Sequence, residues 1–157
     1  MKKIVICADG TWNKPEKKES DNPSNILKIA RCISPDHQQQ VFYDQGVGSY
    51  GTFYSKFVGG ITGQGIQKNI TDCYRYLVQS YSPGDKIYLF GFSRGAYTIR
   101  ALCGLINNCG ILKRENAEKI NQAFSIYKNC GDDFSPNGIK AKEFYKTNSH
   151  PLKKLHL

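Results

Sequence analysis

No stretch of this sequence approaches the roughly 18 consecutive apolar residues that a membrane-spanning helix needs. No two of its 6 cysteines stand in C-x-x-C spacing, and only 3 histidines (His37, His150, His156) could supplement them. A structural zinc site, which requires clustered ligands, is therefore excluded. There is no internal repeat and no low-complexity tract. The basic start, Met1-Lys2-Lys3, leads into Ile4-Val5-Ile6-Cys7, but Asp9 and Gly10 end that run well short of a signal-peptide core. This argues for a cytoplasmic location, or for export without a cleavable signal. The scattered cysteines fit a reduced compartment better than a disulfide framework, and Cys7 and Cys103, in apolar surroundings, read as small buried hydrophobes.

What is present is an ordinary globular composition in 157 residues, 39% hydrophobic and 22% charged, which fits one domain. The net charge of +9 invites a nucleic-acid reading. The excess, however, is spread out: seven basic and five acidic residues in 1–36, six and three in 37–112, nine and five in 113–157. Nucleic-acid binding leaves a clustered footprint, so no specific nucleic-acid partner is expected. Weak attraction to anionic surfaces, phospholipid head groups included, is compatible with this balance.

The chain alternates strand and helix patterns. Lys3–Ala8 is a continuous apolar run, as in a strand buried on both faces. Asn22-Pro23-Ser24-Asn25 opens a helix whose stripe is Ile26, Ile29, Ala30 and Ile33, ended by Pro35. Val41–Tyr43 predicts a second strand, and a glycine-rich loop from Gly46 to Gly65 follows. Ile66–Tyr81 has helical periodicity. The turn Pro83-Gly84-Asp85 delivers the chain into the strand Lys86–Phe90, and residues 96–108 predict a helix buried against a sheet. Further helices are expected over 114–129 and 139–145. The fold class is α/β with a mainly parallel sheet and flanking helices. Gly59–Gly65 is no phosphate cradle: it lacks the Gly-Lys-Ser/Thr of a P-loop and the third glycine of a dinucleotide fingerprint.

One motif carries chemistry. Gly91-Phe92-Ser93-Arg94-Gly95 is G-x-S-x-G, directly after a strand and directly before a helix. At such an elbow the serine takes a strained backbone conformation that lifts its hydroxyl above the sheet. Strand and helix then pass so closely that side chains at 91 and 95 would collide, hence the two glycines. The backbone N–H of Arg94, at a helix start, can stabilise an oxyanion. The plainer alternative is a turn whose serine merely caps the helix. A second oxyanion donor should come from the loop after a neighbouring strand, and Asp9-Gly10-Thr11-Trp12-Asn13 follows the first strand. Gly10 would let backbone approach a ligand, and Thr11 offers an N–H and a hydroxyl. An Asx-type turn with Trp12 covering the core fits those residues equally well.

An ordered series extends this motif: Asp9–Asn13, Asn25, Tyr43-Asp44-Gln45-Gly46-Val47-Gly48, Gly60–Gly65, and Pro83 through Tyr97. Together these resemble the bacterial and fungal α/β-hydrolase family that includes the type VI secretion phospholipase effectors of the first lipase class. The match runs to about Leu112. The resemblance implies a serine hydrolase fold acting on ester or phospholipid substrates without metal or organic cofactor. It places Ser93 as nucleophile and the Asp9–Thr11 loop beside the oxyanion.

Family members continue with further strands, a Trp-Asp-Thr-Val-like segment and a later histidine. This sequence is accordingly expected to be the N-terminal portion (1–157) of a partial α/β-hydrolase fold lacking the later strands, with a poorly ordered tail over 147–157. The acids and histidines after the serine (Asp132, Asp133, Glu143, His150, His156) lack the strand context of a triad. The Lys86–Phe90 strand should form a sheet edge, which invites an edge-strand dimer or a complementary C-terminal chain. A non-catalytic remnant, one half of a split hydrolase, or a binding module is the alternative function.

Overall fold

A computed structural model describes residues 1–10, 22–46 and 63–151. Three strands build its sheet: β1 (Lys3–Ala8), β2 (Gln39–Asp44) and β3 (Lys86–Gly91), in the order β2-β1-β3. Both pairings are parallel and in step, so Lys3 faces Gln39 and Lys86, while Ala8 faces Asp44 and Gly91. All three strands therefore end on one rim, and the residues that follow them, Asp9, Gln45 and Phe92, leave from that rim. The expected parallel direction is observed, and among the described residues β3 has a neighbour on one side only, as expected of a sheet edge.

The period of two along β1 divides the apolar residues between two layers. Ile4, Ile6 and Ala8 join the larger core, and Val5 and Cys7 join a smaller one. The smaller layer is closed by α1 (Asn25–Cys32) through Ile26, Ile29 and Ala30. The larger is closed by α2 (Gly63–Ser80) and α3 (Arg94–Cys109), and behind them by α4 (Ile120–Lys128) and α5 (Ile139–Asn148). Ile70, Cys73, Tyr74, Leu77 and Val78 of α2 are all buried, the spacing of an amphipathic helix. The Phe42 and Tyr76 rings stack at 4.7 Å and pin α2 to β2.

Several boundaries differ from the sequence expectation. Gly63 and Gly65 lie in the first turn of α2 and not in a loop, a position where backbone N–H groups need no helical partner. The remainder of the glycine-rich segment, 47–62, lies outside the described residues. The helix expected over 114–129 is two pieces, a 3-10 segment Arg114–Lys119 and then α4, with Asn116 non-helical at φ −107°. Residues 147–151, expected to begin a loose tail, are tied down. Ser149 forms an antiparallel bridge with Leu112, its hydroxyl donates to the Cys109 carbonyl at 2.5 Å, and the His150 N–H donates to Ile111 at 2.8 Å. Residues 152–157 lie outside the described residues.

All six cysteines are free thiols. Cys7 is fully buried, and burial, then the charge of Asp9, pushes its thiol up to about 11. Cys103, expected to be buried, is only half so and packs on the margin of the larger core.

Candidate active site

The site begins where β3 stops. Phe92 still donates its N–H to the Ala8 carbonyl at 3.1 Å, one step past the paired strand. Ser93 then turns the chain with φ 53° and ψ −122°, the only non-glycine residue with positive φ among those described. α3 starts at once: Gly95 donates to the Phe92 carbonyl (2.8 Å), and Ala96 and Tyr97 to that of Ser93 (3.0 and 3.3 Å). The geometry explains both glycines. A Cβ on Gly91 would lie 2.7 Å from the Ala96 Cα and the Gly95 carbonyl oxygen. A Cβ on Gly95 would run into the Ala8 carbonyl and lie 2.7 Å from the Asp9 carbonyl oxygen. The serine makes no capping hydrogen bond to α3 and is exposed, which removes the plainer helix-cap interpretation. The Arg94 N–H, first of the helix, has no hydrogen-bond partner among the described residues.

The opening loop sits on the same rim. Asp9 is completely buried, and its carbonyl lies against the start of α3. Among the described residues its carboxylate takes three donors: the Gly10 N–H at 2.7 Å, the Tyr43 hydroxyl at 2.7 Å and the Ser24 hydroxyl. Ser24 is also the N-cap of α1, accepting from the Leu27 N–H at 3.0 Å. A single carboxylate thus ties the loop to both β2 and α1. Burial, and then the hydrogen bond to Asp9, hold the Tyr43 phenol above its usual range. Gly46 closes the arrangement. It has φ +75°, and a Cβ there would lie 2.7 Å from the Asp9 carbonyl oxygen and 2.8 Å from that of Gly10. Replacing Tyr43 by phenylalanine is expected to cost about 2 kcal/mol, the worth of a buried hydrogen bond to a charged group. A shift of the urea midpoint at constant slope measures it, and a change below about 0.5 kcal/mol would refute the network's importance.

Gly10 departs from its expected role. Its N–H donates to the Asp9 carboxylate and is not offered to a ligand. Thr11 lies outside the described residues. Tyr43 and Ser24 were not named as site residues from sequence, although Tyr43 belongs to the ordered series quoted above; their hydrogen bonds to Asp9 appear only once β2 and α1 are set beside β1.

The candidate triad partners fall elsewhere. His150 packs edge-on against Tyr81 at 5.5 Å, and Tyr81 directly precedes the turn that enters β3. His37 precedes the start of β2. Both therefore lie at the rim opposite Ser93, roughly 17 Å away along a six-residue strand. Burial lowers the His150 imidazole below its usual range. Asp132 and Asp133 form a short 3-10 turn with Phe134, whose carbonyl accepts from Asn108 near the far end of α3 (2.9 Å). Glu143 is exposed on α5. None of these is brought to Ser93, and His156 lies outside the described residues.

The family described as "T6SS, Phospholipase effector Tle1-like, catalytic domain" matches residues 2–155, and the chain belongs to that family. It is also 31% identical over 179 aligned positions to "Uncharacterized protein YEL023C" of Saccharomyces cerevisiae, covering 99% of this chain and 25% of that protein. The chain thus spans a quarter of the length of this curated relative. No solved structure matches.

Proposed function

We propose that this chain carries the nucleophile of an α/β-hydrolase that cleaves carboxylic ester bonds of phospholipids. The observation that carries the reading is Ser93: a non-glycine residue at φ 53°, clamped between two glycines that close contact requires. Membership of a phospholipase effector family supports the substrate class. In the proposed reaction the Ser93 hydroxyl attacks the ester carbonyl and gives its proton to a general base. The Arg94 N–H, with Thr11 as the second donor, holds the resulting oxyanion. The alcohol, a lysolipid, leaves with a proton, and water hydrolyses the acyl-enzyme.

A second reading has its own support. No histidine among the described residues lies on the rim of Ser93. The chain would then be one half of a split hydrolase, with a complementary chain supplying the base and pairing with the outer edge of β3.

A fluorophosphonate probe separates the two. The first reading expects a covalent adduct that maps to Ser93 and disappears in Ser93→Ala. The second expects no adduct on the chain alone. An adduct that persists in Ser93→Ala would contradict both.

A further inference from the structure

The side chains flanking Ser93 form a surface that no step of the ester chemistry uses. Phe92 and Tyr97 are 57% and 60% exposed, unusual for large rings beside a polar site. On α3, Arg94, Tyr97 and Arg100 follow at intervals of three, which places them along one side of the helix. Gly104 continues that side, and a Cβ there would lie 3.0 Å from the Tyr127 hydroxyl. Burial, and then the nearby Tyr97 phenol, raise the Tyr127 hydroxyl above its usual range; the middle of α3 packs against the last turn of α4 here. Lys128 closes α4 and is exposed.

The charge on this face has one sign. No Asp or Glu stands between Asp85 and Glu115, and none between Glu118 and Asp132. β3, α3 and α4 are therefore free of acids. Arg94 and Arg100 share one side of α3, and Lys128 ends α4, which packs against α3.

We propose that this face, Phe92, Arg94, Tyr97, Arg100, Tyr127 and Lys128, docks the domain on an anionic phospholipid bilayer. The inference rests on the reading of Ser93 as a lipid-ester nucleophile, since it explains how a water-borne domain presents that hydroxyl to a membrane. Amphipathic aromatic rings settle at the head-group level. Each cation near an anionic leaflet strengthens binding about fivefold. The exposed rings adjoin the nucleophile itself, so docking carries Ser93 to the depth of the ester bonds.

The test is flotation of the full chain with phosphatidylcholine vesicles, with and without added phosphatidylglycerol. The chain is expected to float with the anionic vesicles. Tyr97→Ser combined with Arg100→Glu should lower the bound fraction about tenfold, with circular dichroism unchanged. Lys142→Glu on α5 makes the same change in net charge and should lower it less than about twofold. Equal losses in the two variants would overturn the proposal. So would tighter binding of a polyuridine RNA than of anionic vesicles with the same dependence on Tyr97 and Arg100. Ser93→Ala should float like the wild type, and the Tyr97→Ser/Arg100→Glu chain should keep any hydrolysis of a soluble short-chain ester. Flotation without esterase activity in any variant would support docking while counting against the hydrolase reading.

Discussion

Gly95→Ala is expected to destabilise the fold by at least about 3 kcal/mol, more than an ordinary overpacked core position. The added methyl group would meet the carbonyls of Ala8 and Asp9, and both are backbone groups with little freedom to move. The Ala8 carbonyl accepts the Phe92 N–H, and the Asp9 N–H is bonded to Asp44. Yielding to the methyl group would therefore pull β1 from β2 and β3 and disturb the loop held by the Asp9 carboxylate. Gly84→Ala is the internal comparison: Gly84 has φ +97° but nothing within 4 Å of an added Cβ. That change carries a conformational penalty alone, about 1 kcal/mol. Urea unfolding of the two variants reads the difference, and equal costs would mean that strand and helix do not press together at the elbow.

The second large effect concerns chemistry. In any sample of this domain that releases fatty acid from phospholipid, Ser93→Ala is expected to lower kcat by a factor on the order of 10⁴–10⁶. Neither Asp9 nor Tyr43 offers a replacement for the attacking hydroxyl. Asp9 is buried, with three donors on its carboxylate, and Tyr43 is turned into that carboxylate. The Arg94 N–H would remain to polarise a carbonyl, which accounts for a residue of catalysis over water. Activity within about tenfold of the wild type would place the nucleophile elsewhere.

The parts of this molecule that were legible from sequence are those set by local chemistry. The unbroken apolar run from Ile4 to Ala8 announced a central strand, and glycines two residues either side of Ser93 announced a close crossing of backbones. Ser24 ahead of Ile26 and Leu27 marked the start of α1, and its hydroxyl does cap that helix. Features made by distant residues were not legible. The Tyr43 hydroxyl reaches a carboxylate 34 positions away, and nothing near Tyr43 in sequence reveals it. The Gly10 N–H could have faced a ligand or its own neighbour's side chain, and only the coordinates decide in favour of Asp9. Ser149 sits in a lysine-rich stretch that resembles a loose end. It is nonetheless fixed because Leu112 offers it a strand bridge and Cys109, forty residues earlier in the chain, a carbonyl.

Thermal unfolding of Ser93→Gly beside Ser93→Ala tests the strained corner most directly. A non-glycine residue in such a conformation costs about 1–3 kcal/mol, and glycine relieves it against a smaller loss from its own greater chain entropy. Ser93→Gly should therefore melt about 2–4 °C above the wild type, while Ser93→Ala, which keeps its Cβ, should gain nothing. A glycine variant that melts below the alanine variant would show that residue 93 sits in relaxed backbone, and the proposed nucleophile elbow would be lost with it.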